Sequence, residues 1–283
     1  MLASALSMAF LAQCLFLALP GFANAFRYER RYMDGKAELA RGDYSAALGD
    51  FAGAAEIDGA CACLYRDIGL AHGGLGEADK ERAAYAHALS VEEHDWRTRA
   101  LLSDRLRAAG DPRAASPLAL TRPEFRAQQQ AWAWEHLSPP GEPVVDVGAA
   151  DIGYVKGFES AESEPVAGGG ELTYRWSTPR SSVRLPVPAG EGKLRMMIRW
   201  HSLAWPGKPD PNATVRVLVN GVDAGTLAAH PGWEEAGLDL PDLAAGSIAV
   251  IELQAPVARP PGPETRSLGV AVDRVELVTS PRN

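Results

Sequence analysis

The sequence predicts a multidomain protein of mixed α and β class, in which a short array of helical repeats precedes an antiparallel β-sandwich of jelly-roll type. Three observations predict it. In the first half, glycine, acidic, aromatic and alanine positions recur at a spacing of 34 residues. The Pro/Gly-rich run "SPPGEP" at 138–143 then marks a linker. Beyond it the apolar pattern changes from helical to alternating, in short segments between Gly/Pro turns. A chain of 283 residues can bury two modest cores, and 46% hydrophobic with 23% charged residues is ordinary globular composition. The divisions read as a leader at 1–25, helical repeats at 26–116, a helical cap and linker at 117–142, and the β-sandwich at 143–283.

The leader "MLASALSMAFLAQCLFLALPGFANAF" carries no charge and approaches the roughly 20 apolar residues that span a bilayer. "ANA" at Ala23–Ala25 fits a small-residue cleavage site, which predicts a secretory signal and an exported, periplasmic protein. The run lacks a basic start and is longer than a usual signal core. The alternative is therefore an uncleaved membrane anchor, with Arg27, Arg30, Arg31 and Lys36 favouring a cytoplasmic side for the rest of the chain. Gln13 before Cys14, inside a continuing apolar run, argues against a lipoprotein box. The net charge of -8 is spread along both halves with no basic stripe, which excludes nucleic acid as a partner.

The repeat is specific. Gly35 recurs as Gly69, Phe51 as Tyr85 and Ala54 as Ala88, while Gly42 recurs as Gly76 and again as Gly110, each 34 residues on. Each of the last three glycines is followed by an acid: Asp43, Glu77, Asp111. The glycine suits the tight turn that ends one helix, and the acid suits the exposed amides that begin the next. Phe51 and Ala54, like Tyr85 and Ala88, lie three apart on one helical face, a bulky residue beside a small one. This pattern resembles the tetratricopeptide repeat over residues 30–116, with two full repeats and a decayed third. Glu81 departs from it, standing where the first repeat has the small Ala47, and Pro117 cuts the third repeat short. A short array needs a cap, and "TRPEFRAQQQAWAWEHL" (121–137) is a suitable helix. The resemblance implies a surface for a peptide or protein; the alternative is that the helices only space or brace the next domain.

Strands are expected at 144–148, 172–178, 182–187, 193–201, 213–219 with a return after an Asn220-Gly221 turn, 236–240, 247–254 and 268–278, the last bent near Asp273-Arg274. Trp176 and Trp200 fall at inward positions. The succession "DIGYVKGFESAE", "YRWS", "VRVLVNG" and "TRSLGVAVDRVEL" resembles the carbohydrate-binding-module-like sandwich at the C-terminal end of some bacterial membrane glycosyltransferases and other cell-envelope glycan proteins. The resemblance covers nearly all of 146–278 and implies an extracytoplasmic, non-catalytic module in polysaccharide or glycoconjugate handling. The multi-span transferase body of those proteins has no counterpart in the sequence, so their catalysis does not carry over.

No nucleophile motif, phosphate loop or dinucleotide fingerprint is present, and no catalytic residue, metal site or cofactor is expected. Glu159/Glu162 and Glu234/Glu235 are the carboxylate pairs a glycosidase would draw on, a distant third reading. His87 and His94 fit a solvated helix face better than zinc. Three cysteines make no disulfide framework, and Cys61 and Cys63, two apart, are expected as unbridged small residues at a helix start. Flat aromatic faces stack on sugar rings and planar guanidinium groups fix hydroxyls. The candidate ligand-binding residues are accordingly Trp205 and Trp233, in predicted loops, with Arg175, Arg199 and Arg266 as polar partners. Against that stand a turn-plugging role for Trp233 beside Pro231-Gly232, and structural pairing of Arg175 or Arg266 with Glu159 or Glu162. Two function classes remain: an envelope protein coupling a protein-interaction array to a glycan-binding sandwich, or an adaptor in which both domains bind protein.

Overall fold

The computed structural model describes residues 2–139, 141–149, 151–166, 168–205, 208 and 210–280, with side chains from Gly21 onward. Expectations that rest on side chains of residues 1–20, including Cys14, lie outside the described side chains. The chain divides into two compact units, Met1–Arg105 and Leu106–Asn283.

The first unit is built from α1 (Leu2–Arg41), α2 (Tyr44–Ala55), α3 (Ala62–Gly74), α4 (Ala78–Val91) and most of α5 (Trp96–Ala108). Among residues with described side chains, no helix is long and apolar enough to cross a membrane. α1 packs on α2 and α3 on α4, as successive hairpins do. Gly42, Gly76 and Gly110 end α1, α3 and α5 at φ of 80°, 73° and 67°, values an L side chain rarely adopts. The residue after each glycine donates its N–H to a carbonyl five residues back: Asp43 to Glu38, Glu77 to His72, Asp111 to Leu106. That six-to-one bond is the Schellman closure of a helix end, repeated three times at the sequence period. Asp43 also caps α2, its Oδ1 accepting from the Ala46 N–H at 3.3 Å. Glu77 spends its carboxylate differently, on His72 and Lys80.

The repeat also sets the packing. Phe51 and Tyr85 are fully buried. Each lies against the glycine of the preceding helix: a Cβ on Gly35 would meet the Phe51 ring at 2.7 Å, and one on Gly69 would collide with Tyr85. Glu81 is reconciled by a compensating change. Leu39 and Ala47 of the first repeat become Gly73 and Glu81 in the second, and the Glu81 carboxylate fills the space that a side chain at Gly73 would take. Tyr85 Oη donates to Glu81 Oε1 at 3.0 Å, and Arg105 Nε lies 3.6 Å from the same oxygen. Burial pushes the Glu81 carboxyl up, against the opposing pull of Arg105 and Tyr85.

One sequence expectation is overturned here: Cys61 and Cys63 are bonded to each other. Their Cα atoms stand 5.2 Å apart, inside the range a disulfide needs. Cys61 is the extended N-cap residue of α3, at φ -97° and ψ 115°. The chain changes from extended to helical between the two cysteines, which places their side chains side by side.

The second unit begins with the end of α5, followed by α6 (Ser116–Ala119) and α7 (Pro123–His136). Among the described residues nine strands come next: β1 (Val144–Asp146), β2 (Val155–Pro165), β3 (Glu171–Pro186), β4 (Lys193–Ser202), β5 (Ala213–Val219), β6 (Val222–Ala229), β7 (Glu234–Asp239), β8 (Ile248–Gln254) and β9 (Val270–Ser280). Their order is β6-β5-β8-β3-β9-β4-β7, with β1 added to β9 and β2 to β3, all antiparallel. The outermost strands, β6 and β7, approach each other, so the sheet nearly closes around its core. Trp200, Met196, Ile198, Leu185, Ile251, Leu253 and Leu277 fill that core.

The expected segments 172–178 and 182–187 are one strand. β3 pairs with β9 through Arg175 and Trp176, then with β8 from Arg180 to Pro186. Pro179 sits between the two stretches, where a missing N–H costs no ladder bond. β2 is not among the strands that the apolar pattern predicts, because its polar run barely alternates. Its ladder is broken twice, and Gly157 at φ 74° sits against the Arg180 carbonyl where no Cβ fits. The bend expected in the last strand is a bulge: Arg199 pairs with Arg274 but Trp200 with Val272, leaving Asp273 unopposed. The extra residue resets the alternation, so Val270 and Val272 before it and Val275 and Leu277 after it all reach the core. α7, expected as a cap on the repeats, lies along β2 in the second unit. The buried Arg184 fixes its end, donating to the Leu137 carbonyl at 2.9 Å and standing over the Trp134 ring at 5.0 Å.

Candidate ligand-binding face

Alternation along β3 and β4 sends one set of side chains into the core and the other onto the outer face of the sheet. Trp200 faces in and His201 faces out, opposite Ala271 of β9. Trp176 also stands opposite Ala271, so it is buried on the outer face and not, as expected, in the main core. Leu172, Tyr174, Trp176, Leu268 and Ala271 form a small second cluster there, with Leu203 and Trp233 packed against it.

The aromatic rings of this cluster meet mostly edge to face. His201 and Trp233 lie 4.5 Å apart between centroids, Trp176 and His201 5.1 Å, and Tyr174 and Trp233 5.4 Å. Their polar edges meet carboxylates supplied by β2, where Glu162 is the cross-strand partner of Tyr174 and Glu164 that of Leu172. Glu162 Oε2 accepts from Tyr174 Oη at 3.2 Å and Trp176 Nε1 at 3.3 Å, and Glu164 accepts from Trp233 Nε1. Arg266, on the loop before β9, donates to Glu162 Oε1 at 2.8 Å and is clasped by Glu264. The Arg266 guanidinium holds the Glu264 carboxyl down to about 2. Burial, reinforced by Glu162, pushes the Tyr174 hydroxyl up to about 12.

The five sequence candidates separate. Trp233 and Arg266 share this cluster. Arg199 lies on the same face farther along β4, 3.4 Å from Asp273, and lines an open groove of about 260 Å³ with Met197, Glu235, Arg274 and Glu276. Arg175 points to the opposite side of β3, where it donates to both oxygens of the fully buried Asp151 at 2.5 and 3.0 Å and to the Glu159 carbonyl. Trp205 stands on the loop after β4, half-buried, with Lys208 Nζ 5.4 Å from its ring centre. The pairing of Arg266 with Glu162 is the structural alternative read from the sequence; what the sequence reading missed is Glu162 as acceptor for the aromatic edges, Glu164, Tyr174, His201 and Glu264. Glu162 and Glu164 two apart, facing Tyr174 in a neighbouring strand, would have been the signal had β2 been recognised. Among the described residues, no group of three His, Cys, Asp or Glu side chains could hold a metal ion.

Fold and site define a helical-repeat array followed by a β-sandwich whose outer face carries an aromatic–carboxylate cluster. No family model and no curated protein matches the chain. Among solved structures, it is similar to MamA from Desulfovibrio magneticus RS-1 at 22% identity, over 32% of this chain and 52% of that one, with a TM-score of 0.32. The chain thus spans about half of the MamA chain. It is similar to the Arabidopsis OM64 TPR domain at 15% identity, over 34% of this chain and 80% of that one, with a TM-score of 0.33. It is also similar to the CBM36-1 domain of a multidomain xylanase from the hindgut metagenome of Trinervitermes trinervoides, at 13% identity, over 44% and 91% of the two chains, with a TM-score of 0.28. These are similarities of parts of the fold and carry no function to this chain.

Proposed function

We propose that this is a non-catalytic interaction protein of the bacterial cell envelope, with a sandwich that binds a glycan and a helical array that engages a peptide or protein. The observation that carries the glycan reading is the outer-face cluster. It sets the half-buried Trp233 beside Tyr174 and His201, with Glu162, Glu164 and Arg266 as acceptors and donors within the same patch. Aromatic surface bordered by planar polar groups suits a sugar ring and its hydroxyls. Glycan-array binding by the full chain tests it. Trp233→Ala is expected to weaken binding to an envelope polysaccharide about ten-fold, or ~1.4 kcal/mol; silence of the unaltered chain across such polysaccharides would rule the sugar reading out. Export rests on the charge-free leader, and cell fractionation that left the protein in the cytoplasm would remove it.

A second reading, an adaptor in which both units bind protein, is favoured by a specific feature. Tyr174 and Trp176 are both buried, and the polar edges of Tyr174, Trp176 and Trp233 are already spent on Glu162 and Glu164. In that reading the cluster braces the sheet, and Trp233→Ala lowers stability without changing any glycan signal.

A further inference from the structure

An open cavity of about 280 Å³ lies within the second unit, on the side of β2 and β3 away from the aromatic cluster. Leu118 and Ala119 of α6, Ile152 of the β1–β2 loop and Ala161 of β2 make it apolar on several sides. The polar wall comes from α7, whose Arg126, Gln129 and Gln130 fall at i, i+3 and i+4 and so share one helical face, and from Arg175. Two of these side chains, Gln129 and Gln130, are more than nine-tenths buried.

The charges in this wall do not balance. Arg175 is neutralised by Asp151, which also accepts the Gly148 N–H at 2.8 Å. Gln130, with its amide turned to donate to the Phe158 carbonyl at 3.2 Å, accepts from Arg175 Nη1 at 3.3 Å. Arg126 is left as the unmatched charge. Its Nε donates to the Thr121 carbonyl at 3.2 Å, and among the described residues no carboxylate pairs with its half-buried guanidinium. A guanidinium presents parallel N–H groups that fit a carboxylate at two points. At about 280 Å³ the cavity falls just under the roughly 300–1,000 Å³ of sites for drug-sized ligands, so it suits only a small molecule.

We propose that this cavity binds a small monocarboxylate with an apolar body, its carboxylate on Arg126 and its body against Leu118, Ile152 and Ala161. The site is separate from the glycan-binding face, and each can fail without the other. The test is thermal unfolding of the full chain with sodium acetate, hexanoate or benzoate at matched ionic strength, against benzamide and inorganic phosphate. The expected result is a concentration-dependent rise in Tm with hexanoate or benzoate that benzamide and phosphate do not give. Arg126→Gln removes that rise, and so does Ala161→Leu, which fills the cavity and leaves every charge in place. The proposal is overturned if no carboxylate raises Tm, if benzamide or phosphate raises it equally, or if the rise survives Ala161→Leu.

Discussion

Gly73 and Glu81 exchange the sizes of Leu39 and Ala47 one repeat earlier: large-with-small on α1 and α2 becomes small-with-large on α3 and α4. Substituting either partner alone unbalances the pair. Gly73→Leu drives a side chain into the Glu81 carboxylate, and Glu81→Ala leaves a void and an unpartnered Tyr85 hydroxyl. Each is expected to cost about 1–3 kcal/mol. The double variant recreates the first repeat's pair and should recover part of the loss, with a coupling energy of about 0.5–3 kcal/mol in a double-mutant cycle. Simple additivity in denaturant unfolding would reject this account. Glu264 supplies the pH dependence at this scale. Arg266 holds its folded-state pKa, about 2, below its ordinary 4.5. The folded protein therefore binds fewer protons there, and the stabilisation is present above about pH 4.5 and lost as pH falls towards 2. The stability difference between the protein and its Glu264→Gln variant should be flat from pH 5 to 7 and shrink below that.

Among the elements, the helix ends and the cysteine bridge make the sharpest claims. Gly76 holds φ 73° at the end of α3 with nothing near its missing side chain, so only backbone conformation opposes a methyl group. Gly76→Ala is expected to cost about 1–2 kcal/mol, read as a lowered Tm. A larger loss would point to crowding that the structure does not contain. The Cys61–Cys63 bond predicts that both thiols resist alkylation in denaturant until a dithiol reductant is added, and mass spectrometry of the peptide carrying them reads this directly. The repeat was legible because its devices are local: a glycine that must turn, an aromatic that must be buried, a fixed count between them. β2 was not legible, since Gly157 and two ladder breaks erase the alternation by which a strand is read. The Cys61–Cys63 bridge is illegible in the sequence for a related reason. Spacing alone does not say that the backbone changes conformation between Cys61 and Cys63, and that change sets the distance between their side chains.

At the scale of the whole molecule, the candidate face is assembled from residues far apart in the chain. Glu162, Tyr174, His201, Trp233 and Arg266 come from β2, β3, β4, the turn before β7 and the loop before β9. They meet because the strand order sets β3 and β4 on either side of β9. Alternation along β3 sends Arg175 to the other side of the sheet from its chain neighbours Tyr174 and Trp176, which belong to the outer cluster. Period, glycine positions and alternation, all local quantities, were enough to determine the repeat, the change from helices to strands, the Asn220-Gly221 turn and most strand positions. Which candidates share a site, which side of the sheet each faces, and which charges already have partners were decided by tertiary structure alone. Those properties depend on pairing between distant strands, and an unopposed residue such as Asp273 reverses the facing of every position after it.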